Sequence, residues 1–188
     1  MQTKNERIIY HLVNIEREQQ QLKKRPYLLF EDMAIVFDLL GQDGLTIYKI
    51  DHKMAQEKGW EDNFLWEVAQ ENTRRFWNIK IEPVNKKIFG HTKDEPVFVL
   101  SNEIKRYGAG VVCYENVLRD FATKYGWNLY LIPTSIHEFI VLFDQGNYNC
   151  DYLLEILRQS NETLDFNQYL SDNIYYYDRH TGQFFGLF

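Results

Sequence analysis

Between Leu129 and Phe143 the chain reads LYLIPTSIHEFIVLF, with Ser135, His137 and Glu138 close together at its polar centre. A hydroxyl, an imidazole and a carboxylate are the materials of nucleophilic and acid–base chemistry near neutral pH. In an extended strand alternate residues share a face, which puts Ser135 and His137 on one side and Ile136 and Glu138 on the other. A Ser–His pair on one face can hydrogen bond, and a neighbouring carboxylate can orient the imidazole. On this reading Ser135, His137 and Glu138 are the catalytic set of a metal-independent hydrolase. The competing reading is a corner between two strands. Pro133 fixes its own φ, Thr134 and Ser135 bond nearby backbone, and His137 and Glu138 mark where the second strand emerges.

Two further groups have side chains suited to binding. On a helical stripe Phe64, Leu65, Val68, Ala69, Asn72 and Phe76, Asn72 is the polar member. A buried amide there must find a partner, either a backbone carbonyl or a ligand. Arg74 and Arg75 follow it and suit phosphate or carboxylate. Near the end, SDNIYYYDRHTG carries Tyr177, Asp178 and Arg179 where a strand runs into a turn at Gly182. A hairpin is the default for this stretch, and a binding surface is the alternative. Two basic clusters also stand out: Lys23, Lys24 and Arg25, and Lys86, Lys87, His91 and Lys93, the latter near Trp77 and Phe89 in sequence. Basic groups with aromatics can hold single strands of nucleic acid, though clusters this short are ordinary surface in most proteins.

The chain contains no Walker loop, GxGxxG, GxSxG, HExxH or DFG-like set. Cys113 and Cys150 do not form a CxxC pair, so no zinc site is expected, and they read as reduced thiols of a cytoplasmic protein. No cofactor is called for by any motif. The N-terminal MQTKNER has no apolar signal region, and no run reaches the roughly 20 apolar residues of a membrane span. The formal net charge of −6 disfavours non-specific binding to phosphates and suits a basic partner.

These residues need a scaffold. The 188 residues suffice for one α+β domain, with 1–25 as a long N-terminal helix and 26–188 as the body. Ile8, Leu12 and Ile15 share a helical face over Lys4–Lys24, and Pro26 ends it. Met33–Leu40 reads as a buried strand, and LTIYKI follows a GQDG turn to complete a hairpin. Asp51 caps a short helix ended by Gly59, and a longer helix spans Glu61–Trp77. Val97–Leu100 and Gly108–Cys113 read as a strand pair. Helices follow at Glu115–Tyr125 and Asp151–Gln159, with a short one near Phe166–Leu170. The strands LYLI and HEFIVLF flank the corner, and two short strands surround RHTG. Short turns between consecutive strands favour a mostly antiparallel sheet with helices packed on one face. A division into two lobes near Gly90–Glu95 is the alternative.

Several segments together resemble a known family: MAIVFDLL, the helix ending ENTRR, VFVLSN, GAGVVCY, LIPTSIHEFIVL and LSDNIYYYDRHTG. The chain is similar over nearly its whole length to a bacterial family of single-domain proteins of uncharacterised function. That family is carried by plasmids, conjugative elements and prophages of Gram-positive bacteria. Its Pro-(Ser/Thr)-Ser-(Ile)-His-Glu corner stands here at Pro133–Glu138. Its Leu-Ser-Asp-x-(Ile/Val)-Tyr-x-Tyr-Asp-Arg ending stands at Leu170–Arg179. The genetic setting implied by the resemblance is evasion of host defence, as by anti-CRISPR inhibitors of Cas9. The partner implied is then a Cas9–guide RNA complex, masked at its basic surface or deprived of an intact guide. A structural or regulatory adaptor with no catalysis is the third expectation.

Overall fold

The computed structural model describes residues 6–84 and 96–188. The chain divides into two compact units, Met1–Asn78 and Ile79–Phe188. The alternative boundary at Gly90–Glu95 and the basic cluster at Lys86–Lys93 lie outside the described residues.

The first unit is built on four antiparallel strands, β1 (Ile8–Asn14), β2 (Tyr27–Phe30), β3 (Met33–Leu40) and β4 (Ile47–Lys49). β3 is central: β1 pairs along one side of it, and β2 and β4 pair in turn along the other. The expected N-terminal helix is therefore a strand followed by a single turn, α1 (Gln19–Leu22). The apolar residues at Ile8, Leu12 and Ile15 fit a helical face, but Ile9, Tyr10 and His11 between them are buried too. A strand covered on both faces is apolar at every position, so it satisfies a helical template by default. Its β-branched and aromatic residues favour the extended form.

Asp51 caps α2 (His52–Lys58) by accepting the Met54 N–H at 2.7 Å, and Gly59 ends it in the left-handed region at φ 68°. α3 (Asp62–Phe76) runs along the outer side of β1. Asn72 donates its amide to the carbonyls of Glu6 (2.7 Å) and Ile8 (3.1 Å), and Thr73 Oγ1 accepts the Tyr10 N–H at 2.9 Å. An edge strand with bare polar groups invites pairing with another chain, and these two side chains close that edge.

The second unit holds a six-stranded antiparallel sheet in the order β10-β9-β7-β8-β6-β5. The strands are β5 (Ile79–Pro83), β6 (Phe98–Asn102), β7 (Leu129–Ser135), β8 (Glu138–Phe143), β9 (Tyr175–Tyr177) and β10 (Phe184–Gly186). The two strands around the RHTG turn thus form as read. Helices cover both faces rather than one. On one face Leu153 and Leu157 of α5 (Cys150–Glu162) pack on Ile132, Ile140, Leu142 and Ile174. On the other, Phe121 and Tyr125 of α4 (Val117–Tyr125) meet Phe98 and Phe143 with ring centroids 4.9–5.9 Å apart. The central strands β7 and β8 are buried at most positions and apolar on both faces under this double cover.

The stretch GAGVVC is a 3₁₀ helix, Gly108–Cys113, and not a strand. β6 takes β5 and β8 as partners instead. The reason lies at Gly108, where an added Cβ would stand 2.2 Å from Ser101 Oγ and 2.4 Å from the His137 carbonyl oxygen. Backbone this close to a neighbouring strand requires glycine, and the buried Ala109 and Gly110 continue the tight approach.

Candidate functional site

The motif PTSIHE is the corner between β7 and β8. β7 ends at Ser135 and β8 begins at Glu138, so Ile136 and His137 form the connection. The register shifts between Pro133 and Ser135, which breaks the simple alternation of faces expected for an unbroken strand. Pro133 has no N–H to lose from the ladder at such an irregularity.

Each main-chain polar group of the connection has a partner. The Ile136 N–H donates to the Gln168 carbonyl at 2.8 Å, and the Ile136 carbonyl accepts the Ala109 N–H at 3.3 Å. The His137 N–H donates to Ser135 Oγ at 3.0 Å, and the His137 carbonyl accepts the Ser101 hydroxyl at 2.8 Å. The candidate nucleophile is thus an acceptor within its own turn. The imidazole Nδ1 accepts the Tyr107 N–H at 3.0 Å, which places the proton of the neutral ring on Nε2.

Tyr107 needs that partner. Lys105 and Tyr107 both have left-handed backbone, at φ 53° and 52°, a costly conformation for residues with a Cβ. Asn102 clamps the same loop, donating to the Arg106 carbonyl at 2.7 Å and accepting the Arg106 N–H at 3.2 Å. The corner and the strained loop hold each other through His137. Ser101, Asn102, Tyr107 and Gly108 were outside the sequence-derived set. The only signal for them was a Ser-Asn pair closing an apolar run and two glycines in a hydrophobic one.

Glu138 is half-buried, and Thr134 Oγ1 sits 3.4 Å from both its carbonyl and its Oε1, a long contact. It borders an open cleft of ≈ 270 Å³ that Ser101, Lys80, Glu82 and Lys105 also line. Lys80 and Glu82, two residues apart on β5, pair at 2.9 Å along one wall of that cleft.

Tyr177, Asp178 and Arg179 lie in the same unit, at the end of β9. The Tyr177 phenol is buried in its strand, and burial first, then the charges of Asp120 and Asp178, raise its pKa against the lowering effect of Arg119. Asp178 Oδ1 accepts the N–H groups of His180 (2.7 Å) and Thr181 (3.3 Å), and so builds the turn. Asn72, Arg74 and Arg75 belong to the first unit. Asn72 bonds strand β1, and the exposed Arg75 lies over the Phe76 ring at 4.8 Å.

A family model described as a family of unknown function (DUF5688) matches residues 1–179. The chain belongs to that family. No curated protein matches it, and neither does any solved structure. In this DUF5688 chain the corner Pro133–Glu138 and the ending Leu170–Arg179 both fall inside the matched span.

The first unit of this chain also contains a buried charged cluster. Asp38 of β3 is fully buried, with His11 Nδ1 2.9 Å from Oδ2 and Arg25 Nη2 2.7 Å from Oδ1. Arg25 also donates to the Phe37 carbonyl. It is therefore not part of a solvated basic end with Lys23 and Lys24, which are exposed. Burial pushes the Asp38 carboxyl up, but His11 and Arg25 together bring it below the usual range. The one signal in the sequence was an aspartate inside the apolar run MAIVFDLL. Among the described residues no group of three His, Cys, Asp or Glu is placed to hold a metal ion, and no helix is long and apolar enough to cross a membrane.

Proposed function

We propose that this protein acts by binding a basic macromolecular partner, and that the Ser135–His137–Glu138 corner is the scaffold of its second unit. One observation carries this reading. The Ser135 hydroxyl and the His137 Nδ1 each serve as acceptor for a backbone N–H, one in the turn and one in a strained loop. A nucleophile–base pair needs a ring nitrogen free to take the serine proton, and with Nδ1 engaged the neutral ring carries its proton on Nε2. The net charge of −6 favours a positively charged partner, and complementary charge speeds encounter and suppresses wrong partners.

With the resemblance to a family of mobile elements, the concrete form of this reading is an anti-CRISPR-type inhibitor. It would mask the positively charged channel of a Cas9–guide RNA complex in the cytoplasm. The test is retention of purified Cas9–guide complex on the immobilised protein, with target cleavage measured in parallel. Retention with lost cleavage is expected. No retention and full cleavage would count against this partner.

A second reading, a hydrolase or ribonuclease, draws on the cleft of ≈ 270 Å³ beside Glu138 and Ser101. It takes His137 as the acid, donating through Nε2–H, and Glu138 as the base. Guide RNA shortened by the protein alone would favour it over masking.

A further inference from the structure

On the α5 face of the six-stranded sheet, one row of side chains is aromatic across three strands. Tyr130 of β7 stands opposite Tyr176 of β9, and Tyr176 stands opposite Phe185 of β10. Their ring centroids are 5.2 and 5.6 Å apart. Tyr148, just ahead of α5, meets Tyr130 edge-on at 6.2 Å. The next row inward, with Ile132 and Ile174, is sealed by Leu153 and Leu157 of α5. The aromatic row is not sealed: Tyr130, Tyr148 and Tyr176 are half-buried and Phe185 is exposed.

At this row sits a carboxylate held in a fixed orientation. Asp144 Oδ2 accepts the Tyr176 phenol at 2.5 Å, and Oδ1 accepts the Gly146 N–H at 3.1 Å. The Tyr176 oxygen in turn accepts the Asn128 amide at 2.8 Å, and Asn128 Oδ1 accepts the Arg179 N–H at 3.1 Å. This chain of bonds fixes both the ring and the acid. Each carboxylate oxygen keeps an acceptor position beyond the bond it makes.

Aromatic faces around a carboxylate are a recognition surface for a cation. Arginine fits better than lysine, because its planar guanidinium stacks on rings and bonds a carboxylate through parallel N–H groups. We propose that Asp144 with Tyr130, Tyr148, Tyr176 and Phe185 receives an arginine side chain from a basic protein segment. This inference rests on the reading of the protein as a binder of a basic partner, and it names the place and the chemistry of contact. Burial first and then the bond to Asp144 push the Tyr176 phenol up to about 12, and burial and the Asp144 charge raise Tyr130 as well. The rings therefore stay neutral beside the Asp144 carboxylate at working pH.

The probe is the capped tripeptide acetyl-Gly-Arg-Gly-amide, titrated into the full chain while tyrosine ring resonances are followed by NMR. Saturable shifts are expected at Tyr130 and Tyr176. The same peptide with citrulline, neutral and nearly isosteric, should leave them in place. Asp144→Asn should weaken binding about tenfold. Tyr176→Phe keeps the ring and removes only its hydroxyl, and should weaken binding by a smaller factor in a protein of unchanged circular dichroism. Citrulline shifting the rings as arginine does, or Asp144→Asn and Tyr176→Phe both leaving the affinity unchanged, would overturn the proposal. The peptide arm separates this inference from the choice of partner. Arginine binding by a protein that fails to retain the Cas9–guide complex supports the site while the partner falls. Retention of that complex equally by wild type and Asp144→Asn overturns the site while the partner stands.

Discussion

Replacing Gly108 by alanine inserts one methyl group where three atoms already stand. Ser101 Oγ would be 2.2 Å from the new Cβ, the His137 carbonyl oxygen 2.4 Å and the Asn102 nitrogen 2.8 Å. Two of these are backbone atoms of β6 and of the corner, which cannot turn aside as a flexible side chain can. Overpacking of this kind costs about 1–3 kcal/mol. The Ser101–His137 hydrogen bond, 2.8 Å long, lies across the same gap, and its loss adds about 0.5–1.5 kcal/mol. A destabilisation of about 1.5–4.5 kcal/mol follows, with Tm lowered by roughly 6–19 °C for a unit of this size. Urea unfolding by far-UV circular dichroism measures it directly. Adding Ser101→Ala removes the nearest obstacle but leaves the carbonyl in place, so the double variant should recover only part of the loss. A change under about 0.5 kcal/mol, the range of an ordinary surface substitution, would refute the packing described for the corner.

The buried cluster of the first unit gives a pH prediction. Asp38 has a folded pKa below its unfolded value of about 3.9, so its contribution is present above that pH and is lost as pH falls through the folded value. Urea midpoints should therefore drop below about pH 4, and Asp38→Asn should flatten that slope. Asp38→Ala, which removes the buried carboxylate that Arg25 and His11 face, should cost about 3–5 kcal/mol by the same measurement. Asn72→Ala strips the donor from the Glu6 and Ile8 carbonyls, and should cost about 1–3 kcal/mol and raise the tendency of β1 to pair between chains, read by light scattering.

Local chemistry told most where it was short-ranged. Asp51 and Gly59 bracket α2 because a cap and a left-handed stop act within a few residues, and Met33–Leu40 forms the strand that its apolar run indicates. The N-terminal strand carries a helical pattern because β1 is buried on both faces, and continuous burial erases the period that separates strand from helix. GAGVVC departs from its strand-like pattern for a different reason. Its glycine serves a close approach to Ser101 and His137, which is a tertiary fact with no local mark. At the corner, residue types were legible and their use was not. Ser135 and His137 suit catalysis as side chains, yet in the fold the His137 Nδ1 accepts the N–H of Tyr107, thirty residues away in sequence. Asp144 and Tyr176 likewise meet only because β9 pairs with β7.

The proposed scaffold role of the corner and the proposed binding role of the protein are tested together by His137→Asn, whose amide oxygen can still accept the Tyr107 N–H but cannot act as a titrating base near neutral pH. The measurement is guide RNA length after Cas9–guide complex is incubated with wild type or with His137→Asn, beside target cleavage in the same samples. Full-length guide and equal loss of cleavage with both proteins is the predicted result. Guide shortened by wild type and left intact by His137→Asn would contradict it.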